Sequence, residues 1–356
     1  MTTFNADTLQ KKIKGGEIIN ACNLDGLDLQ GHDLSGGVFQ ETSLRAVNLR
    51  GANLHDTVFT ECCLVSATLC GAQLQQTVFN DCDLTAINAG DSVITQCVFN
   101  QCELGDSEFS GSSIDASQFM RCMLSGSRFS RSTIERSTFF EGELTHCSLN
   151  LCHWLLTTFF NVDLRATDLG ESQFERAVFY NCDQRGKSYT HQRFNGCQFT
   201  GNRLDTVDFR GAQLTQCNFT GASLKNACLR EVNARQALFI GADLTQASCQ
   251  SGQFEQALFV GAMLAYADFS RSHLYQAVLQ QVKAERACFA QSELTYSDFT
   301  GAYLKDTDFR QAAFSRTRFH RAYQEGAHFS DRRGVLDYDE ELLAAEAWSL
   351  QHRSRR

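Results

Sequence analysis

A repeat of five residues runs through most of this sequence and restricts what the chain can fold into. Of the 62 residues whose numbers end in 4 or 9, from Leu24 to Phe329, all but six are Leu, Ile, Phe, Trp or Tyr. The residues two positions earlier are small in all but six cases. A helix with 3.6 residues per turn cannot keep this period, nor can a strand whose side chains alternate. A chain that turns a corner every five residues can, with one large and one small residue inside each side.

The sequence also has a second, longer period of twenty residues. Every twentieth residue from Phe39 to Phe319 is Phe, except Leu279. Four five-residue units therefore form one coil, which predicts an all-β, four-sided solenoid of roughly 15 coils. Each coil would pair its backbone with its neighbours, and the complete absence of proline fits that need for backbone N–H groups.

The repeated units resemble those of a known family. The segments GANLH (51–55), GASLK (221–225), GADLT (241–245) and GAYLK (301–305) are similar to the A-(D/N)-L-x-x unit of pentapeptide-repeat proteins. The resemblance covers residues 22–330 and implies a right-handed four-sided β-helix. Because one fold hosts several functions, the resemblance implies little about activity.

Short helices are predicted to cap both ends. Residues 1–21 form an N-terminal cap, with a helix from Asn5 to Lys14 that ends at two glycines. Residues 331–356 form a C-terminal helix and tail, in which Asp337 and Glu340 have the spacing of a capping box. Its larger side chains either cover the last coil or, as the family resemblance implies, contact a second copy in a homodimer; they include Tyr338, Leu342 and Trp348.

One coil, near residues 184–193, departs from the pattern. Gln184, Lys187 and Gln192 occupy inward positions there, and a buried unpaired Lys is costly. We therefore expect a bulge or short loop before the repeat resumes at Phe194. It is either a tolerated defect or a hinge or docking loop.

The sequence offers no catalytic or cofactor-binding motif. Eleven of the 16 cysteines occupy the small inward position, where a thiol behaves as a small hydrophobe. No Cys or His spacing typical of a zinc site occurs, and no signal peptide or membrane-length apolar run is present. We predict a non-catalytic, cytoplasmic protein with no metal, no cofactor, no membrane contact and no direct binding of nucleic acid.

Two sets of apolar residues at outward positions predict a contact surface. Both flank the Phe column on one side of the solenoid. The first set is Val38, Val58, Val78 and Val98, and the second is Met120, Phe140, Phe160 and Tyr180. The apolar segment 150–160 adds Leu151, Leu155 and Leu156 at outward positions. Valine can reflect strand propensity alone, but contiguous exposed aromatic residues are typical of interfaces.

These observations favour a bacterial interaction scaffold or adaptor that presents flat faces to a protein, either a second copy or another partner. The alternative comes from the family, some members of which protect type II topoisomerases such as gyrase from inhibitors by mimicking DNA. The net charge of −9 is mild for a DNA mimic, since duplex DNA of this length carries several times more.

Overall fold

The computed structural model describes residues 5–353 as a parallel-strand β-solenoid of about 16 turns, with one helix near each terminus. The chain divides into two compact units, Met1–Asp183 (unit 1) and Gln184–Arg356 (unit 2). Within the described residues, no helix has the length and apolar character needed to cross a membrane.

The N-terminal helix α1 spans Ala6–Lys14 and confirms the predicted cap. The Asn5 side chain accepts a hydrogen bond from the Thr8 amide at 2.8 Å, which satisfies one of the free N–H groups of the first turn. Leu9 and Ile13 are buried on the side of the helix that faces the solenoid. Because this helix buries two apolar side chains, its attachment is hydrophobic.

The C-terminal helix α2 spans Glu340–Arg353, within the segment 331–356 predicted to form a helix and tail. Its first turn is capped by Asp339, whose carboxylate accepts the Leu342 amide at 3.0 Å. The predicted capping role of Asp337 is wrong, because that carboxylate instead pairs with Arg332 at 2.5 Å. The Asp339 side chain lies two residues closer to the helix and reaches its free N–H groups.

Unit 1 is built from three-residue strands that stack in register. The strands are β1 Ile18–Asn20, β2 Val38–Gln40, β3 Val58–Thr60, β4 Gln73–Gln75, β5 Val78–Asn80, β6 Val93–Thr95, β7 Val98–Asn100, β8 Ser113–Asp115, β9 Gln118–Met120, β10 Thr133–Glu135, β11 Thr138–Phe140, β12 His153–Leu155, β13 Thr158–Phe160, β14 Gln173–Glu175 and β15 Val178–Tyr180.

These strands form two parallel sheets on adjacent sides of the coil. Sheet 1 has the order β1-β2-β3-β5-β7-β9-β11-β13-β15, and sheet 2 contains β4, β6, β8, β10, β12 and β14 in sequence order. Neighbouring strands within each sheet lie twenty residues apart in sequence and pair in register, as Phe139 does with Phe159. The central residue of each strand is buried, and the first and third residues lie on the outer surface. Register is therefore set directly by the twenty-residue repeat.

Unit 2 uses the same coil with fewer strands. It contains β16 Arg193–Asn195, β17 Asp308–Phe309, β18 Thr317–Arg318, β19 His328–Phe329 and β20 Val335–Leu336. Elsewhere in the unit, single parallel bridges join residues twenty apart, such as Leu238 and Leu258. β20 pairs with β18, so parallel pairing extends beyond residue 330, where the sequence analysis ended the solenoid.

The predicted large inward positions are confirmed as far as Phe309, whereas Phe314, Gln324 and Phe329 near the end of the solenoid are half-buried. All residues whose numbers end in 4 or 9, from Leu24 to Phe309, are buried, including Trp154 in the apolar segment 150–160. The structure adds a feature of the corners, where residues whose numbers end in 1 or 6 have a positive φ near 55°, as in Leu156 at 53°. This left-handed conformation explains why Gly opens so many repeat units, as Gly221 and Gly241 do.

The coil at 184–193 does not deform, so the predicted bulge or loop is wrong. The amides of Lys187 and Gln192 make the ordinary corner hydrogen bonds to the carbonyls of Gln184 and Tyr189, at 3.2 and 3.0 Å. Gln184 is buried, and its side-chain oxygen accepts the Tyr189 hydroxyl at 2.6 Å. Lys187 is only half-buried. The repeat continues because the Tyr189 hydroxyl satisfies the Gln184 side-chain oxygen and Lys187 stays partly solvated, which lowers the cost of these polar groups. Among the residues that the structure describes, the buried Gln184 Nε2 has no hydrogen-bond partner.

Candidate interaction surface

Four consecutive strands of sheet 1 carry the predicted aromatic ladder, which consists of Met120, Phe140, Phe160 and Tyr180. Each is the third residue of its strand, in β9, β11, β13 and β15. The rings of Phe140 and Phe160 stack with centroids 4.9 Å apart, and those of Phe160 and Tyr180 with centroids 5.1 Å apart. Because the ring faces cover one another, the ladder presents ring edges to a partner.

The ladder is accessible at the surface of the isolated chain. Tyr180 has 48% of its surface exposed, and Phe140 and Phe160 are half-buried by their stacking and by the sheet. The rings within each stacked pair are nearly parallel, with interplanar angles of 11° and 9°. Sheet 1 is therefore locally flat at this point, which suits contact with another flat surface.

The predicted valine ladder lies on the same outer face. Val38, Val58, Val78 and Val98 are the first residues of β2, β3, β5 and β7 and pair in register. On these strands the third position is polar, for example Thr60. From β9 to β13 the first position becomes polar and the third becomes apolar. The apolar part of the face thus shifts from one edge of the sheet to the other.

The structure places the three leucines of the segment 150–160 differently. Leu155 ends β12, and the exposed Leu156 forms the corner that leads into β13, so both lie beside the first-residue edge of sheet 1. Leu151 lies at another corner and lines a separate concavity of about 570 Å³ together with Glu108 and Arg131. Leu151 is therefore not part of the surface around the aromatic ladder.

Two charged residues bracket the aromatic ladder, and the sequence analysis did not single them out. Arg136 precedes β11 and donates to Asp115, with a distance of 2.8 Å from Nε to Oδ1. Glu141 follows β11 and accepts from Arg121 at 3.1 Å. The hydrogen bond with Asp115 raises the pKa of Arg136 above its usual value. Their positions at the two corners that flank a Phe-rich strand are the signal that could have identified them.

The C-terminal residues named by the sequence analysis are exposed. Tyr338 has 75% of its surface accessible and Trp348 has 62%, while Leu342 has 37%. Helix α2 contacts the last coil through polar groups instead: Glu346 pairs with Arg321, and Asp339 pairs with Arg318 at 3.5 Å. In the single chain, Tyr338 and Trp348 do not cover the last coil. Their role in a homodimer stays a prediction.

The buried cysteines have the properties of core residues rather than nucleophiles. Burial raises the pKa of Cys147, Cys152 and Cys182 to about 12, so these thiols are protonated at neutral pH. Across residues 5–353, no group of three or more His, Cys, Asp and Glu side chains is arranged to hold a metal ion.

Comparisons with known proteins fit the repeat described above. The profile of the family "Pentapeptide repeats" matches residues 22–61, 190–221, 217–248, 253–291 and 287–331, which together are half of the chain. No curated protein matches the sequence.

Several solved structures of pentapeptide-repeat proteins resemble this one. A plasmid-mediated fluoroquinolone resistance protein, QnrB1, is 16% identical, with 61% of this chain and 90% of that chain covered and a TM-score of 0.29. HetL, involved in heterocyst differentiation in the cyanobacterium Nostoc, is 17% identical, with 74% and 96% covered and a TM-score of 0.25. A thylakoid-lumen protein from Arabidopsis thaliana is 26% identical, with 30% and 69% covered and a TM-score of 0.21. On the repeated units, the parallel coil and the match of the family profile, this chain belongs to the pentapeptide-repeat family.

Proposed function

We propose that this protein is a non-catalytic interaction scaffold that binds a protein partner through the outer face of sheet 1. The observation that carries the proposal is the stacked, solvent-accessible ladder Met120, Phe140, Phe160 and Tyr180. Aromatic residues and Met are enriched at protein interfaces. Four neighbouring ones on a flat sheet supply a concentrated apolar contact.

The rest of the surface supports this choice of face. The strands around the ladder are fixed by parallel pairing on both sides, so the surface is rigid before a partner arrives. A preformed surface loses little conformational entropy on binding. The ladder also interrupts a pattern in which outward positions are otherwise mostly polar, as Asn80 and Asn100 are at the equivalent positions of β5 and β7.

The test replaces Phe140 and Phe160 with Asp in a tagged protein and measures partner capture from the native lysate. We expect capture to fall at least tenfold, because two buried carboxylates would oppose the contact. A matched control places Asp at Gln73 and Val93, which are first residues of strands in sheet 2. Equal capture by both variants and the wild type would contradict the proposal.

A second variant separates lost binding from lost folding. Phe140→Thr with Phe160→Thr installs the residue that β3 carries naturally at the same position, Thr60. This variant adds no charge and keeps strand propensity. It should keep the circular dichroism spectrum of the wild type and still lose capture.

The topoisomerase alternative is tested separately by a gyrase supercoiling assay with and without a quinolone. Many acids on the described surface are paired with basic side chains, for example Glu255 with Arg235 and Asp308 with Arg310. Paired acids present less negative potential than a DNA backbone does. We therefore expect no protection of gyrase at micromolar protein.

A further inference from the structure

We infer that the partner of the aromatic ladder is a second copy of this chain, bound side by side and parallel through sheet 1. This inference rests on the proposed function, because it names the partner of the same surface. The inference draws on three properties of strands β9 to β15: their relief, their edge charges and their limited area.

The relief of the face is complementary to itself. On β11 and β13 the third residue is Phe, whereas the first residue is the smaller Thr138 or Thr158. Each strand therefore presents a ridge beside a trough. A twofold axis parallel to the direction of coil stacking reverses the strands of the second copy, so that each third residue faces a first residue. Phe140 then lies over Thr138 of the second copy, and Phe160 over Thr158.

The charges at the edges of the face match under the same axis. The corner before each strand comes opposite the corner after the equivalent strand of the second copy. Arg136, which is exposed, then faces Glu141 of the second copy, and the symmetry produces this contact twice. An axis along the strands, which makes the copies antiparallel, would instead set ridge against ridge and place Arg136 against Leu156. The parallel arrangement is the one with complementary charges.

The extent of the contact sets its strength. In the coil of β3 the same axis would bring Asp56 against Glu61 of the second copy, so repulsion opposes close contact in that coil. Four three-residue strands about 4.8 Å apart cover roughly 19 Å by 10 Å, an area of about 190 Å², which is well below the ~800 Å² per partner of a standard interface. The association should therefore be reversible and weak.

The test is a charge exchange measured by sedimentation velocity at concentrations up to about 300 µM, a range suited to small interfaces. The variants are Arg136→Glu and Glu141→Arg. In either homodimer both edge contacts join like charges, and we expect dimerisation to weaken about tenfold. In an equimolar mixture both contacts regain opposite charges, so dimerisation should return to within about threefold of the wild type.

The control is Arg165→Glu, which makes the same charge change at an arginine paired with Asp163 on another side of unit 1. It should dimerise like the wild type. A wild-type protein that stays monomeric at about 300 µM, or a mixture no better than its components, would overturn the inference. Loss of capture in Phe140→Asp/Phe160→Asp without rescue in the mixture would leave the proposed function standing with a different partner.

Discussion

The cysteines of this chain follow a rule that becomes visible only in the structure. Eight of the eleven at small inward positions are the second residue after a three-residue strand: Cys22, Cys62, Cys82, Cys97, Cys102, Cys122, Cys182 and Cys197. The Cys82 thiol donates to the Phe59 carbonyl at 3.4 Å, and Cys102 and Cys122 make the equivalent bonds one and two coils later. Thr157 makes the same bond to Ile134 with its hydroxyl at 3.0 Å.

At corners that do not follow a strand, the backbone carbonyl of the buried central residue receives its hydrogen bond from a different donor. In unit 2, the amide of Ala242 itself donates to the Phe239 carbonyl at 3.1 Å, and no side-chain donor is needed. This difference explains why small inward residues are mostly Cys, Ser or Thr in unit 1 and more often Ala in unit 2. The thiols serve as hydrogen-bond donors to backbone groups that would otherwise be buried and unsatisfied.

Replacing Cys82 tests this donor role at the scale of one residue. Cys82→Ala should lower the free energy of unfolding by about 1–2 kcal/mol, because it removes both the donor and a buried sulfur atom. Cys82→Ser should cost less, since its hydroxyl can still donate to Phe59. Urea denaturation followed by circular dichroism measures both. Cys63→Ala, at the outward-facing neighbour, is the control and should stay within about 0.5 kcal/mol of the wild type. Equal losses for Ala and Ser would contradict the donor role.

The two terminal helices differ in how they are attached. Helix α1 buries Leu9 and Ile13, whereas α2 is held by the ion pairs of Glu346 and Asp339 and leaves Leu342 and Leu343 exposed. Ion pairs at a surface contribute little to stability, while buried leucines contribute several kcal/mol. The N-terminal helix is therefore a hydrophobic cap. The C-terminal helix is a polar attachment with an unpartnered apolar surface.

A matched pair of Leu→Ala substitutions tests this difference between the helices. Leu9→Ala should lower the free energy of unfolding by about 2–4 kcal/mol, because it leaves a cavity between α1 and the solenoid. Leu342→Ala should change it by less than about 0.5 kcal/mol. Thermal denaturation at low protein concentration measures both. A large loss for Leu342→Ala that grows with protein concentration would instead place α2 in a contact between copies.

For the molecule as a whole, the five-residue repeat was sufficient to predict the burial of nearly every residue. It gave the inward position of Trp154 and the stacking of Phe140 on Phe160, since residues twenty apart must be neighbours in a parallel coil. It could not separate strands from bridges, because three-residue segments carry too little pattern. It also misjudged Gln184, because the Tyr189 hydroxyl that donates to its side-chain oxygen comes from the next side of the coil. The repeat could not predict the role that we infer for Arg136, because that role depends on a residue of a second copy.

Buried thiols occur in both units, and we expect them to make the free energy of unfolding of the whole molecule fall at alkaline pH. Burial raises the pKa of Cys97 to about 11 and that of Cys147, Cys152 and Cys182 to about 12, from an ordinary value of 9.0. In unit 2, burial also raises the pKa values of Cys217 and Cys249. A raised pKa in the folded state means that the stabilising effect is complete below pH 9. It is lost as the pH rises from 9 toward the folded-state pKa. In this range the thiols ionise in the unfolded chain but stay protonated in the folded protein, which favours unfolding.

The free energy of unfolding should therefore be nearly constant from pH 7 to 8.5 and fall steeply above pH 9. Each buried thiol removes roughly 1.4 kcal/mol per pH unit once the unfolded chain ionises, so several thiols act together. Urea denaturation at pH 7, 8.5 and 10 measures the slope. The variant Cys147→Ser/Cys152→Ser/Cys182→Ser provides the control, because serine keeps a donor but does not titrate in this range. Its stability should fall less steeply above pH 9. If the variant and the wild type lose stability at the same rate, lysine and tyrosine ionisation rather than the buried thiols governs the alkaline limit of this fold.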